Sequence, residues 1–152
     1  PNPVSPQSGS DMNQRQIELV QQSFARAERF RPHLIVTFYS ELFALEPSVK
    51  ALFKGDMELQ RRKLAGMLKQ VIEGLDQPAA LLPAARDLAV RHVGYGVEER
   101  HYDIVGKALL RALKHELGPD FTDETRAAWI SAYQWLAGEM RRAAYPDPAH
   151  TL

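Results

Sequence analysis

The 152 residues read as a single domain, long enough to bury roughly two-thirds of the surface that the unfolded chain exposes. Nineteen basic and 19 acidic side chains cancel, so no overall field draws the chain to nucleic acid or to an anionic membrane, and no apolar run approaches the ~20 residues that a bilayer needs. Cysteine is absent, which excludes a disulfide scaffold and thiolate chemistry and suits a reducing cytoplasm.

Residues 1–11 are rich in Pro, Ser and Asn and are expected to form a flexible tail, since they hold too little apolar area to offset ordering. They carry no basic-then-apolar pattern of a secretion signal, and nothing in the chain repeats. Asp11 or Asn13 can cap a helix over residues 14–28, with Ile17, Val20, Phe24 and Ala27 on its inner face. Pro32 suits the first turn of a second helix, in which Ile35, Phe38, Tyr39, Leu42 and Phe43 fall at helical spacing while Ser40 and Glu41 face out. Pro47 ends it, and a short helical turn over residues 48–52 leads to Phe53. Lys54-Gly55-Asp56 is a loop before a third helix, residues 57–74. Its inner row is Gln60, Leu64, Met67 or Leu68, and Val71, and its outer row is Arg61, Arg62, Lys69 and Gln70.

Asp76-Gln77-Pro78 breaks the chain again. In the next helix Leu81, Ala85, Leu88, Ala89 and His92 share one face, an apolar stripe carrying a single imidazole at its C-terminal end. Gly94 and Gly96 then supply the positive-φ freedom that lets the chain turn away. A fifth helix over residues 99–116 turns Tyr102, Val105, Leu109, Ala112 and Leu113 inward and stops at Gly118-Pro119. Thr122 caps the last helix, where Asp123 and Glu124 suit the dipole and Trp129, Ala132, Tyr133, Leu136, Ala137 and Met140 form the inner face. From Pro146 the composition is polar again, and residues 147–152 are expected to form a second tail. No stretch alternates long enough for a strand. The fold class is all-α, with six substantial helices and one or two short ones in a domain spanning residues 12–146.

Three polar side chains interrupt apolar faces: Tyr39, Gln60 and His92. Each alone is satisfied by a nearby carbonyl in many proteins, and burying any of them without a partner costs a few kcal/mol. On three different helices they describe an apolar cavity with few inward polar groups, the build of a small-molecule or cofactor site.

The chain resembles the globins, specifically bacterial single-domain haemoglobins, the globin module of flavohaemoglobins and, more distantly, neuroglobin. Thr37-Phe38-Tyr39 with Leu42-Phe43 resembles the second globin helix, and Pro47 through Leu52-Phe53 the short third helix and the haem-stacking phenylalanine. Arg91-His92 with Gly96-Val97, then His101-Tyr102 with Ile104-Val105-Gly106 and Leu109-Leu110, is similar to the proximal histidine and the helix after it. Leu117-Gly118-Pro119, Phe121-Thr122, Ala127-Ala128-Trp129 and Ala132-Tyr133 resemble the entry to the last globin helix. The resemblance runs over residues 12–145.

It implies a globin fold sandwiching haem b (iron protoporphyrin IX), with His92 as the proximal iron ligand. Phe53 would stack on the porphyrin, while Phe43, Leu64, Leu88, Val97 and Val105 would line it. Tyr102 and Tyr133 belong to the proximal surroundings, and Lys63 stands where a cation reaches a haem propionate. Tyr39 and Gln60 take the distal positions. Glutamine does not readily ligate iron, so a five-coordinate iron is expected. The remaining histidines, His33, His101, His115 and His150, stand at helix ends or on outer faces with no ligand role. A phenol O–H and an amide N–H aimed at O2 offer hydrogen bonds worth ~1.5–3 kcal/mol to a charged acceptor, and CO gains less.

Reversible binding of O2, NO and CO, for oxygen transport or gas sensing, is the function this implies. Flavohaemoglobins use the same distal pair for nitric oxide dioxygenation, and they set a Tyr and a Glu beside the proximal histidine. Tyr102 matches that tyrosine, but the glutamate position holds Ala144. The chain ends soon after the last globin helix, so dioxygenase turnover would take electrons from a separate reductase. A haem-free, globin-like regulatory domain is the third reading.

Overall fold

Helical periodicity is realised almost as the sequence spaces it. In this computed structural model, which describes residues 12–30, 33–94 and 96–145, six α-helices follow one another. They are α1 (Gln14–Phe30), α2 (Leu34–Leu45), α3 (Met57–Glu73), α4 (Pro78–Gly94), α5 (His101–Leu117) and α6 (Asp123–Ala144). Two 3₁₀ segments, Pro47–Leu52 and Gly118–Asp120, lie between α2 and α3 and between α5 and α6. The described residues contain no strand. Both expected tails, Asp11, Pro32 and His150 lie outside the described residues.

Local chemistry sets the helix starts. Asn13 caps α1 reciprocally, its Oδ1 accepting the Gln16 N–H (2.7 Å) while its own N–H donates to Gln16 Oε1 (3.2 Å). Asp56 accepts the Glu58 N–H at 2.9 Å to start α3, and Thr122 accepts the Thr125 N–H at 3.2 Å to start α6. Between α4 and α5 the reading needs a correction. Gly94 is still helical, and of the two glycines described there only Gly96 has positive φ, +92°.

Packing pairs α2 with α5, and both α1 and α4 with α6. Because α6 is covered from two sides, its buried arc is wider than one stripe: Trp135, absent from the expected inner face, is buried as well. The Trp129 indole N–H donates to Ser23 Oγ at 2.8 Å and ties α6 to α1. Where α5 meets α6, Gly106 is required, since a Cβ there would lie 2.9 Å from the Tyr133 ring. The Tyr133 hydroxyl donates to the Tyr102 carbonyl at the same crossing.

The apolar interior is divided. A large cluster joins α1, α2, α5 and the start of α6, and a smaller one, around Ala85, Ala89, Tyr102, Ala137 and Met140, joins α4 to the ends of α5 and α6. Tyr133 packs against both. α3 rests on α1 and α2 and is not closely packed on α4. A cavity opens between α3 and α4, lined by Met67, Val71, Leu81, Ala85 and Leu88, with Leu136 of α6 at its back.

Candidate functional site

His92 stands in the last turn of α4, half-buried, with Nδ1 2.8 Å from the Leu88 carbonyl. A carbonyl can only accept, so Nδ1 carries the proton and the neutral ring keeps its lone pair on Nε2. Burial pushes the imidazole pKa below its ordinary 6.5; the Leu88 bond opposes that shift and Arg91 adds to it. The ring is thus held neutral, the form that ligates a metal.

Tyr39, on the buried face of α2, is only 5% exposed. The Gln60 side chain, on the first turns of α3, lies close enough to act on the phenol. Burial raises the phenol pKa, while Gln60 and Arg61 lower it less, so the O–H keeps its proton. The ring is fixed by neighbours: centroids of Phe38, Phe43 and Phe53 lie 5.2, 5.9 and 5.4 Å away, and Phe43 and Phe53 meet edge to face at 5.6 Å.

The residues singled out in the sequence fall into two groups. Tyr39, Phe43, Phe53, Leu64 and Val105 belong to the large cluster and its margin, with Gln60 beside Tyr39. Leu88, Val97 and Tyr102 belong to the small cluster, and Tyr133 bridges the two. Leu64, Leu88, Val97 and Val105 are only half-buried: apolar side chains on both sides retain uncovered surface. Lys63 is exposed on α3.

With this geometry in hand, the chain can be set against known proteins. The Globin family model matches residues 36–140. The chain belongs to the globin family. A flavohemoprotein of Bordetella parapertussis is 38% identical to this globin over 103 residues, 66% of this chain and 26% of that protein. One of Vibrio cholerae is 30% identical over 130 residues, 83% of this chain and 33% of that protein. The globin therefore spans a quarter to a third of the length of these curated relatives. A Rhodothermus marinus protein, named as a candidate nitric oxide dioxygenase and engineered as a carbene transferase, has a similar structure. Its TM-score is 0.78 at 31% identity, covering 88% of this chain and 93% of that one. A bacterial globin of Campylobacter jejuni gives 0.76 at 27%, covering 87% and 96%.

Three residues near this globin's site are not singled out by periodicity. His101 stands at a helix end as expected, yet it is buried, 5% exposed, with Nδ1 accepting the Glu98 N–H at 2.8 Å. The i,i+3 reach-back has the geometry of half a capping box, but neither residue is of the type that marks one in a sequence. The Arg141 guanidinium lies 5.3 Å from the centre of the Tyr102 ring and pairs with Asp103 at 3.0 Å, while its buried Nε finds no partner. Burial raises the Tyr102 phenol pKa, Tyr145 adds to the rise and Arg141 opposes it. Tyr145, just past α6, donates its hydroxyl to the Val97 carbonyl at 3.1 Å. No local pattern announces the last two, because each acts across the fold.

The residues fit a haem. Among the described residues no three His, Cys, Asp or Glu converge on a point that could cage a bare metal ion. One neutral imidazole beside an apolar cavity suits a metal whose other ligands come from a flat apolar macrocycle. The divided core leaves apolar side chains uncovered on both sides, with a cavity next to the last turns of α4, as an apolar group bound there would require.

Proposed function

We propose that this globin binds haem b through His92 and reversibly takes up O2, NO and CO on the side of Tyr39 and Gln60. A bound haem supplies an iron centre that coordinates diatomic gases. The observation that carries the reading is the neutral, oriented His92 ring, its Nδ1 proton held by Leu88 so that Nε2 bears the lone pair. Phe43, Phe53, Leu64, Leu88, Val97 and Val105 would cover the macrocycle and exclude water, and the exposed Lys63 has the charge to meet a propionate. Tyr39 and Gln60 would turn their O–H and N–H to a gas molecule that gathers negative charge, favouring O2 over CO. Gln60 is a poor iron ligand and the Tyr39 phenol keeps its proton, so neither would compete with gas for the iron.

The test is an absorption spectrum of protein loaded with haem. A Soret band, a five-coordinate spectrum after reduction and shifts with O2 and CO are expected, and His92→Ala should lose tight haem retention. An unchanged spectrum and unchanged retention in that variant would refute the axial assignment. A sharp six-coordinate spectrum in the reduced, gas-free protein would refute the open sixth position.

A second reading, nitric oxide dioxygenase working with a separate reductase, is supported by the neighbouring Tyr39 and Gln60 and by the flavohemoprotein relatives. The proximal side speaks against it: Ala144 replaces the resemblance's glutamate, and a cation, Arg141, lies on Tyr102. Catalytic loss of NO under air with an added reductase distinguishes this enzyme from a carrier, which consumes NO only once.

A further inference from the structure

The described residues of the elbow between α4 and α5 are closely tied by hydrogen bonds. At the end of α4 the Gly96 N–H donates to the Val93 carbonyl (3.1 Å) and the Val97 N–H to the His92 carbonyl (3.0 Å), with Gly96 at φ +92°. That pair of bonds is a Schellman motif whose outer acceptor is His92 itself. The next residue, Glu98, opens the turn that leads into α5. Its carbonyl accepts the His101 N–H at 3.0 Å, and its own N–H donates to His101 Nδ1 at 2.8 Å. This is half of a capping box, with an imidazole where glutamate or glutamine ordinarily reaches back. The C-terminal motif of one helix and the N-terminal motif of the next therefore share adjacent residues. The amides of Gly96, Val97 and Glu98 are all committed, and the bond on His92 lies one residue from the bond made by His101.

His101 has the means to hold that junction. It is buried, so water does not compete for Nδ1, and it stands on α5, the helix packed most extensively on α2. The Tyr145 hydroxyl on the Val97 carbonyl steadies the same elbow from α6. We propose that His101 is a positioning residue for the axial ligand: its buried Nδ1 fixes Glu98, and through the shared motif it fixes the backbone of His92 relative to the haem. The proposal rests on His92 being that ligand. Without the acceptor, Glu98 N–H regains a partner only by opening toward water, which drags the Val97–His92 bond with it and loosens the imidazole.

Substitutions that keep bulk but change the acceptor test this. His101→Leu removes it, His101→Gln restores a capping oxygen, and Thr122→Ala removes a cap at α6, remote from the site. Two measurements follow: amide exchange at Val97 and Glu98 in the haem-free protein, and the iron–histidine stretching band with the haem dissociation rate in the loaded protein. His101→Leu should speed exchange at both amides about fivefold beyond any global change, the factor of one net hydrogen bond. It should also broaden or shift the band and speed haem loss by a similar factor. His101→Gln should return all three toward the parent, and Thr122→Ala should lower global stability without moving the band. If His101→Leu does not fold, His101→Met takes its place. A parent-like band and parent-like exchange in the Leu or Met variant overturn the proposal, as does failure of Gln to restore what Leu loses. A parent protein without a Soret band overturns the haem reading and the axial role with it, whereas a normal Soret band with an unmoved signature overturns the positioning alone.

Discussion

Tyr39 has two jobs available to it, and single-atom changes separate them. As a core residue it contributes one buried hydroxyl beside Gln60, and Tyr39→Phe then costs about 1 kcal/mol of stability with gas kinetics unmoved. As a donor to bound gas it contributes ~1.5–3 kcal/mol to the O2 complex alone. Since each 1.4 kcal/mol is tenfold, O2 dissociation in Tyr39→Phe should accelerate roughly ten- to a hundredfold, while CO dissociation changes much less. Gln60→Leu should act in the same direction. The two effects should not add, because the side chains are neighbours and address one ligand. Stopped-flow measurements on both single variants and the double variant decide the matter. O2 dissociation within twofold of the parent in all three would remove Tyr39 and Gln60 from the gas site.

Helix contacts carry predictions of another kind. At the crossing of α5 and α6, Gly106→Ala places a methyl 2.9 Å from the Tyr133 ring, which its hydroxyl bond to the Tyr102 carbonyl keeps from moving aside. Overpacking of this sort costs about 1–3 kcal/mol, measurable as a lower denaturant midpoint with unchanged m. Its gain in helix propensity, roughly 1 kcal/mol, is the smaller effect at a tight crossing. An unchanged or higher midpoint would show that the two helices separate freely there. Between α1 and α6 the exposed pair Arg15–Glu124, at 3.1 Å, gives a pH signature. The Arg15 guanidinium holds the Glu124 carboxyl below its ordinary 4.5. A carboxylate depressed on folding adds stability above its unfolded pKa and loses it as pH falls through the folded value. The Glu124 midpoint, followed by NMR, should lie under 4.5 and return toward it in Arg15→Gln. Solvent exposure of both partners keeps the stability effect small.

Taken whole, the molecule has two apolar clusters with a cavity between α3 and α4, and Tyr133 as their shared member. A haem that binds the folded chain and not the unfolded one stabilises it by mass action, about 2.7 kcal/mol at a hundredfold excess over Kd. Because α3 is lightly packed on its neighbours, most of that gain should appear there and in α4. Hydrogen exchange with and without haem should therefore show protection rising in α3 and α4 more than in α1, α2 or α5. Uniform protection, or none, would indicate that the cavity closes by itself and that haem does not bridge the two clusters.

Periodicity, caps and breakers in the sequence determined the number, order and type of helices. Spacing alone put Tyr39, Gln60 and His92 on inward faces, because helix formation and the side a residue faces are local properties set every 3.6 residues. The choice of Asn13 as the cap of α1, and of Gly96 rather than Gly94 for the positive φ, depends on which hydrogen bonds close, and one sequence offers both options. Trp135 escaped the single-stripe pattern because the width of a buried face depends on how many neighbours cover it, and α6 has one on each side. His101 stands at a helix end and is nonetheless buried, because burial depends on what the rest of the fold packs over it. Arg141 on Tyr102 and Tyr145 on Val97 join residues 39 and 48 positions apart in the chain. Such contacts exist only once α4, α5 and α6 have packed, since sequence neighbours set local conformation but only the assembled fold sets distances between remote side chains.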